Sequence, residues 1–472
     1  MYKILICWRY LLTRYLALAC VVSVMLGVAT LIVVNSVMGG FSSKLRDRLH
    51  GLLSDIVIES NSMDGFPNPQ IMMEAIRNDS QLKDKVVAMT PTMEVFAMLQ
   101  YRLPNDQMMT RTIRLVGIDP KSRSDVGGFK EHLVKQKQSR VPSFALSPKQ
   151  RELYFFRHRF AKGDDPALDF QPRDPNVPPP PAPPERKVKE PQGIVVGHLL
   201  AHYRQHNKQT GKIDERTLIN YGDDVIITTV SGGKISPVYD SFVVNDYFKS
   251  EMSEYDSNYA YVSLEYLQKL RSLENRVTSL QIRLKDYERD SEFVKNRLAV
   301  LLPKGSFYVS TWEDKQGPLL AAISIERGIL NVLLFMIICV AGFGILAIFS
   351  MIVAEKTRDI GILKALGASN GGVLSIFLTY GLLLGIVGAI LGTILGVSIA
   401  NHINDVEMFL TKITGQKVFD RSVYYFDEIP TEIQPFQIFL LNAGAVGIAV
   451  LFSVLPALRA SMLHPVRALR YE

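Results

Sequence analysis

The 472-residue chain is 47% hydrophobic, with 53 basic against 46 acidic residues and a mean hydropathy of +0.12, averages that soluble and membrane proteins share. Clustering separates the two: uncharged runs at 15–38 (24 residues), 328–354 (27), 373–400 (28) and 436–457 (22) each reach the ~20 residues that cross a hydrocarbon core at ~1.5 Å per residue. That excludes a soluble enzyme. The 286 residues at 42–327 hold 41 basic against 37 acidic residues, which leaves no nucleic-acid footprint.

In chain order, the first run follows Lys3, Arg9 and Arg14 with no acidic residue before it. Ala17-Leu18-Ala19 before Cys20 offers both an A-x-A cleavage site and a degenerate lipobox, but apolar sequence continues to Met38, longer than a signal core, so the segment reads as an anchor. Lys356, Arg358 and Lys364 lie between the second and third runs, and Arg459, Arg467 and Arg470 follow the fourth. Basic residues stay preferentially on the cytoplasmic side, so both termini are expected there and section 42–327 outside. The outer loop 401–435 has six acidic residues against three basic. Cys7, Cys20 and Cys339 fall in or beside the first two runs, so section 42–327 can form no disulfide.

The domains expected are 1–41, a cytoplasmic N-terminus with the first membrane helix; 42–327, an extracytoplasmic α+β domain; and 328–472, three further membrane helices. Within 42–327, segments rich in β-branched and aromatic residues at 55–59, 86–103, 111–118, 193–196, 224–229 and 242–244 predict strands. A strand at 277–284, a helix at 291–302 and a strand at 307–311 make a β-α-β unit that closes one small lobe. Between about 140 and 191 the pattern is lost. Prolines 178–181, 183 and 184 lack the amide donor that a helix or inner strand needs, so 172–191 reads as an exposed polyproline-like excursion or linker.

Most chemical motifs fail on inspection. His198, His202 and His206 recur every four residues and would line one helix face, but Leu199 stands where a zinc-protease motif needs Glu, which favours a solvated face over a metal site. No G-x-x-x-x-G-K-[ST] occurs; Gly232-Gly233-Lys234 is followed by Ile235, so the chain cannot cradle a nucleotide phosphate itself. Gly367-Ala368-Ser369-Asn370-Gly371 matches G-x-S-x-G, yet it joins two membrane runs and reads as a turn rather than a nucleophile elbow. No catalytic residue and no metal site is expected.

The four apolar runs contain no internal charge, which argues against a proton or ion path and places the energy source elsewhere. In the third run Gly381, Gly385, Gly388, Gly392 and Gly396 form one helical stripe that lets a neighbouring backbone approach closely, either within the chain or across a dimer. The connector 355–369 sets charged Glu355, Lys356, Arg358, Asp359 and Lys364 beside apolar Ile360, Ile362, Leu363 and Leu366, with Gly361 and Gly367 among them. A short helix held against a protein partner and a membrane-surface turn both fit that composition.

The connector EKTRDIGILKALGAS (355–369) resembles the signature of the FtsX/MacB-type ABC transporter permeases. The ending LPALRASMLHPVRALRYE is similar to that family's, and within it to the lipoprotein-releasing LolC/LolE branch; VNSVMGGFSSKLRDRLHGLLSDIVIES (34–60) and VYYFDEIP (423–430) resemble the same branch. The resemblance covers about 1–60 and 193–472 and fades over 129–190. It implies an α-helical membrane protein of the cytoplasmic (inner) membrane, with four transmembrane helices and a large α+β domain, porter-like with a second β-rich lobe, between the first two. It also implies a coupling helix at 355–369 that docks on a separate ATPase subunit, which binds the ATP and magnesium. A second permease chain, identical or not, would complete the transporter, with a periplasmic carrier or adaptor as a further partner. Lipoprotein release by mechanotransmission is the first reading; a MacB-like efflux or peptide-export permease and an FtsX-like permease controlling a cell-wall hydrolase are the alternatives.

Overall fold

A computed structural model describes residues 15–103, 107–159, 189–206, 213–233, 236–303, 305–415, 428–464 and 466. The chain forms two compact units, an α+β unit at Asp47–Gly317 and a helical unit from the segments on either side. Helix α1 (Tyr15–Leu52) continues from the end of its apolar run at Met38 for about 20 Å.

The α+β unit contains β1 (Ile56–Ser60), α2 (Pro69–Asn78), β2 (Val86–Arg102), β3 (Met108–Ile118), α3 (Pro120–Gly127), β4 (Gln192–Gly197), β5 (Asp224–Val230), β6 (Pro237–Phe248), β7 (Tyr259–Ser263), α4 (Leu264–Leu270), β8 (Ser279–Leu284), α5 (Tyr287–Leu301) and β9 (Phe307–Thr311). Its main sheet has nine strands in the order β9-β1-β8-β2-β3-β7-β4-β6-β5. The first four, linked through α2 and α5, make a split β-α-β-β-α-β lobe in which β1 runs antiparallel to both β8 and β9. The expected β-α-β unit is thus present, with β1 inserted between its two strands. Ile56, Ile58, Ile76, Leu280, Ile282, Val294 and Leu298 fill its core. Val294 and Leu298 stand four apart on one face of α5.

Strand β2 serves two lobes. Its first half pairs with β8, and its second half, from Met93, pairs with β3. Ladders β3–β7, β7–β4, β4–β6, β6–β5 and β5–β2 then return to the start, closing a six-stranded barrel. Alternation along β2 follows from the two-residue strand period: Met93, Ala97, Leu99 and Tyr101 are buried inside, while Phe96 and Met98 are exposed.

Two expectations need correction here. The three histidines do not line a helix: the helix at His198–Ala201 stops after one turn, and His202–His206 is a strand paired with Ile213–Thr217. Ladder pairing overrides the period-four pattern, and the His198 and His202 rings stack at 4.2 Å instead. Among the described residues no group of three or more His, Cys, Asp or Glu could hold a metal ion. The stretch from 140 to 191 is also more regular than expected, since Pro148–Arg159 is a helix. Residues 160–188, most of the proline-rich segment, lie outside the described residues.

The helical unit continues with α6 (Gly317–Glu355), α7 (Thr357–Ala365), α8 (Asn370–Asn401), α9 (Ile403–Thr414) and α10 (Pro435–Ser461). Helices α1, α6, α8 and α10 are each long and apolar enough to cross a bilayer, and the chain is a multi-pass membrane protein. Val24, Val28, Phe349, Tyr380, Leu384 and Ala449 pack between them. Lys3, Arg9, Arg14, Arg467 and Arg470, which set the expected orientation, lie outside the described residues, as do residues 423–427 of the outer-loop motif.

Candidate functional site

The connector 355–369 folds as a cap on three helix ends. Helix α6 stops at Glu355, and Lys356 leaves helical geometry with φ −96° and ψ 11°. The Thr357 hydroxyl donates to the Val353 and Ala354 carbonyls at 3.0 and 2.9 Å, satisfying groups that the helix end leaves open. Lys356 Nζ donates to Asp359 Oδ2 at 2.5 Å, which ties the first turn of α7 together.

The far end of α7 is a Schellman closure. Gly367 takes φ +94°, a conformation that side chains disfavour, while the Gly367 amide donates to Lys364 O and the Ala368 amide to Leu363 O, both at 3.0 Å. Two residues later Ser369 caps α8 by accepting from the Gly372 amide at 3.1 Å. The G-x-S-x-G string is therefore a helix-to-helix turn, and its serine oxygen is a cap.

Burial divides α7 into two faces. Ile360 and Gly361 are buried, with Ile360 packed against Val353, Val373 and Ala460 at the ends of α6, α8 and α10. Lys364 turns to the same side, and its Nζ donates to the Ser461 and Leu463 carbonyls, each at 2.7 Å. A cation on the last carbonyls of α10 also complements that helix's dipole. Arg358, Asp359, Ile362 and Leu363 are exposed on the other face, and Leu366 is 81% exposed; Glu355 and Gly367 are exposed at the two ends. The structure thus brings Ile360, Gly361 and Lys364 together as an inner anchor and separates them from the outward charged and apolar residues.

The glycine stripe is buried along its length, and its partners are in the same chain. A Cβ added at Gly381 would sit 2.5 Å from Ser453 Oγ, and one at Gly385 would sit 3.0 Å from Ala449 Cβ, both on α10. At Gly388 and Gly392 the neighbours are Val24 Cβ and the Met25 carbonyl at 2.7 Å, and at Gly396 the Ala29 carbonyl at 3.0 Å, all on α1. One helix therefore seats two others at successive levels, and packing within the chain accounts for every glycine of the stripe. Thr393 and Asn442 add a hydrogen-bonded pair between α8 and α10 at 3.0 Å. Sequence reasoning passed over that pair, although an Asn inside an apolar run is the signal that finds it.

Residues 331–465 match the family described as FtsX-like permease C-terminal. The lipoprotein-releasing system transmembrane protein LolC of Xylella fastidiosa is 28% identical over 258 residues, which is 54% of this chain and 62% of that protein. LolE of Haemophilus influenzae is 28% identical over 34% of this chain and 39% of its own length. An uncharacterized ABC transporter permease of Bacillus subtilis, YknZ, is 30% identical over 28% of each. The matches thus span less than two thirds of these relatives. Among solved structures, the periplasmic region of MacB from Actinobacillus actinomycetemcomitans aligns with 58% of this chain and 97% of its own at 12% identity and a TM-score of 0.29, too low to equate the two folds.

Proposed function

We propose that the chain is the permease subunit of an ABC transporter that releases lipoproteins from the outer face of the cytoplasmic membrane, a reading supported by the match of residues 331–465 to the FtsX-like permease family. The observation that carries this reading is the two-faced helix α7. Arg358, Asp359, Ile362, Leu363 and Leu366 face outward from a helix whose other face is anchored to the ends of α6, α8 and α10. An outward mixed surface on such an anchored helix suits a protein partner better than a loose surface turn does. The partner is an ATPase subunit that binds ATP and magnesium, and this chain contributes no catalytic residue.

The geometry supports mechanical transmission as follows. A push on α7 reaches α10 through Lys364 and reaches α6 and α8 through Ile360. The α8 glycines pass displacement to α10 and α1, because close-packed backbones cannot slide independently. Helices α1 and α6 are the chain's two covalent connections to the α+β unit. On this reading both termini are cytoplasmic, the α+β unit is external, and a second permease chain, identical or not, completes the machine with a periplasmic carrier or adaptor. The similarity to LolC and LolE favours lipoprotein as cargo. A MacB-like export permease and an FtsX-like signalling permease remain the competing readings.

Co-purification of an ATPase subunit with the chain, followed by ATP-dependent transfer of a lipoprotein out of proteoliposomes, tests the proposal. ATPase binding with no lipoprotein transfer would leave a permease of another cargo; absence of ATPase binding would remove the permease reading altogether.

A further inference from the structure

Helix α9 is built inside out for a protein surface. Ile403, Val406, Phe409, Leu410 and Ile413 recur at helical spacing and form one apolar stripe. Asn404, Glu407 and Thr411 occupy the opposite side. A helix lying on a soluble core would bury the stripe, and here its later part is exposed instead: Glu407 is 9% exposed, whereas Phe409 is 63%, Leu410 41% and Ile413 66% exposed, with Ile403 and Val406 half-buried. The polar side is the bonded one. Asn404 Oδ1 accepts from the Ile429 amide at 2.8 Å, and Thr411 Oγ1 donates to Glu407 Oε1 at 3.1 Å.

We propose that α9 is an interfacial helix, with Phe409, Leu410 and Ile413 inserted into the bilayer at the boundary between headgroups and acyl chains. Its position in the chain names the occupant. The apolar run of α8 continues to Ala400, and only His402 separates the end of α8 from α9, so α9 starts where a membrane span ends. It lies at the end of α8 opposite to the end that follows α7. Asp405 and Lys412 are exposed on the flank of the stripe, where a headgroup layer tolerates charge and a lysine stem can reach it from apolar surroundings. Gly415, at φ +69°, closes the helix after three turns. The inference rests on α8 being a membrane span and on no choice of cargo.

The test uses the full chain in lipid nanodiscs, with Cys7, Cys20 and Cys339 replaced by alanine. Phe409→Cys, Ile413→Cys and Asp405→Cys are labelled separately with the environment-sensitive fluorophore NBD, and phosphatidylcholine spin-labelled at a shallow or a deep acyl position supplies the quencher. The expected result is blue-shifted emission at 409 and 413, quenched most by the shallow label, with water-like, unquenched emission at 405. Water-like emission at 409 and 413 would overturn the proposal. So would blue-shifted emission that no spin-labelled lipid quenches, accompanied by cysteine cross-linking to a second polypeptide, because the occupant would then be protein. If one labelled variant fails to fold, the other reads the same stripe, and loss of lipoprotein transfer leaves either outcome unchanged.

Discussion

Lys364 and Ser461, 97 positions apart in the chain, meet where the lysine Nζ donates to the serine carbonyl at 2.7 Å, with the Leu463 carbonyl accepting a second bond at the same distance. This contact changes what Lys364 is expected to do. By composition Lys364 and Arg358 are equivalent cations available to an acidic partner; in the fold one fastens a joint and the other faces outward.

The two residues should therefore separate in experiment. Lys364→Met removes two charge-assisted bonds worth roughly 1.5 to 3 kcal/mol each at most, reduced by the residue's partial exposure, and should lower the thermal midpoint of the detergent-solubilised chain. Arg358→Glu should leave that midpoint unchanged and weaken ATPase co-purification. Equal midpoints for both variants, or equal loss of ATPase from both, would contradict the division.

Glycine replacements in the membrane helices, Gly392 on α8 and Gly344 on α6, should depend on what each Cβ meets. Gly392→Ala brings a methyl within 2.7 Å of the Met25 carbonyl and 2.8 Å of Val28 Cβ, so overpacking should cost about 1–3 kcal/mol. Gly344→Ala meets no atom within 4 Å and should be neutral or stabilising by up to about 1 kcal/mol through helix propensity. Thermal unfolding of the two variants side by side gives the comparison, and a harmless Gly392→Ala would mean that α1 and α8 are not in close register.

Asp256 gives the α+β unit a pH dependence of known sign. Burial pushes its carboxyl from 3.8 up to about 6, against hydrogen bonds from the Ser250 amide and hydroxyl that pull it down. The native carboxyl thus holds its proton more tightly than the unfolded one, so its contribution to stability falls as pH rises from about 4 to about 6 and is flat above. Asp256→Asn removes that titration. The stability difference between variant and wild type should shift in the variant's favour by about 2–3 kcal/mol between pH 4 and pH 6.5. Denaturant unfolding at four pH values checks it, and a difference independent of pH would refute the assignment.

Sidedness has its own test. Cysteines placed at Ser143 and at Leu366, in a chain with its native cysteines replaced, should differ in intact cells: an impermeant thiol reagent should label position 143 and spare 366. Labelling of 366 without permeabilisation would invert the proposed orientation.

How much of this was legible from sequence depended on the range of the interaction. The apolar runs, the β-α-β segment and the glycine stripe are local patterns, and each is recognisable in one window of sequence. Closure of the barrel is not: Met98 meets Thr228 across 130 residues, and β7, five residues reading YAYVS, is too short to announce itself. The histidine spacing misled because strand pairing with Ile213–Thr217 outweighs any helical period over four residues. At the candidate site, the exposed and buried halves of α7 follow from which helix ends surround it, and no local rule distinguishes Lys364 from Arg358. The stripe announced a close approach but could not say whose backbone approached.

Strands β1 and β9 lie side by side with Ile56 opposite Thr311, so the α+β unit begins and ends at one place. A module with adjacent termini can be lifted out of one polypeptide and spliced into another without refolding its host. If the chain works as proposed, exchanging residues 47–317 between related permeases would be the economical way to give unchanged membrane helices a new external specificity, in the laboratory or over the course of descent.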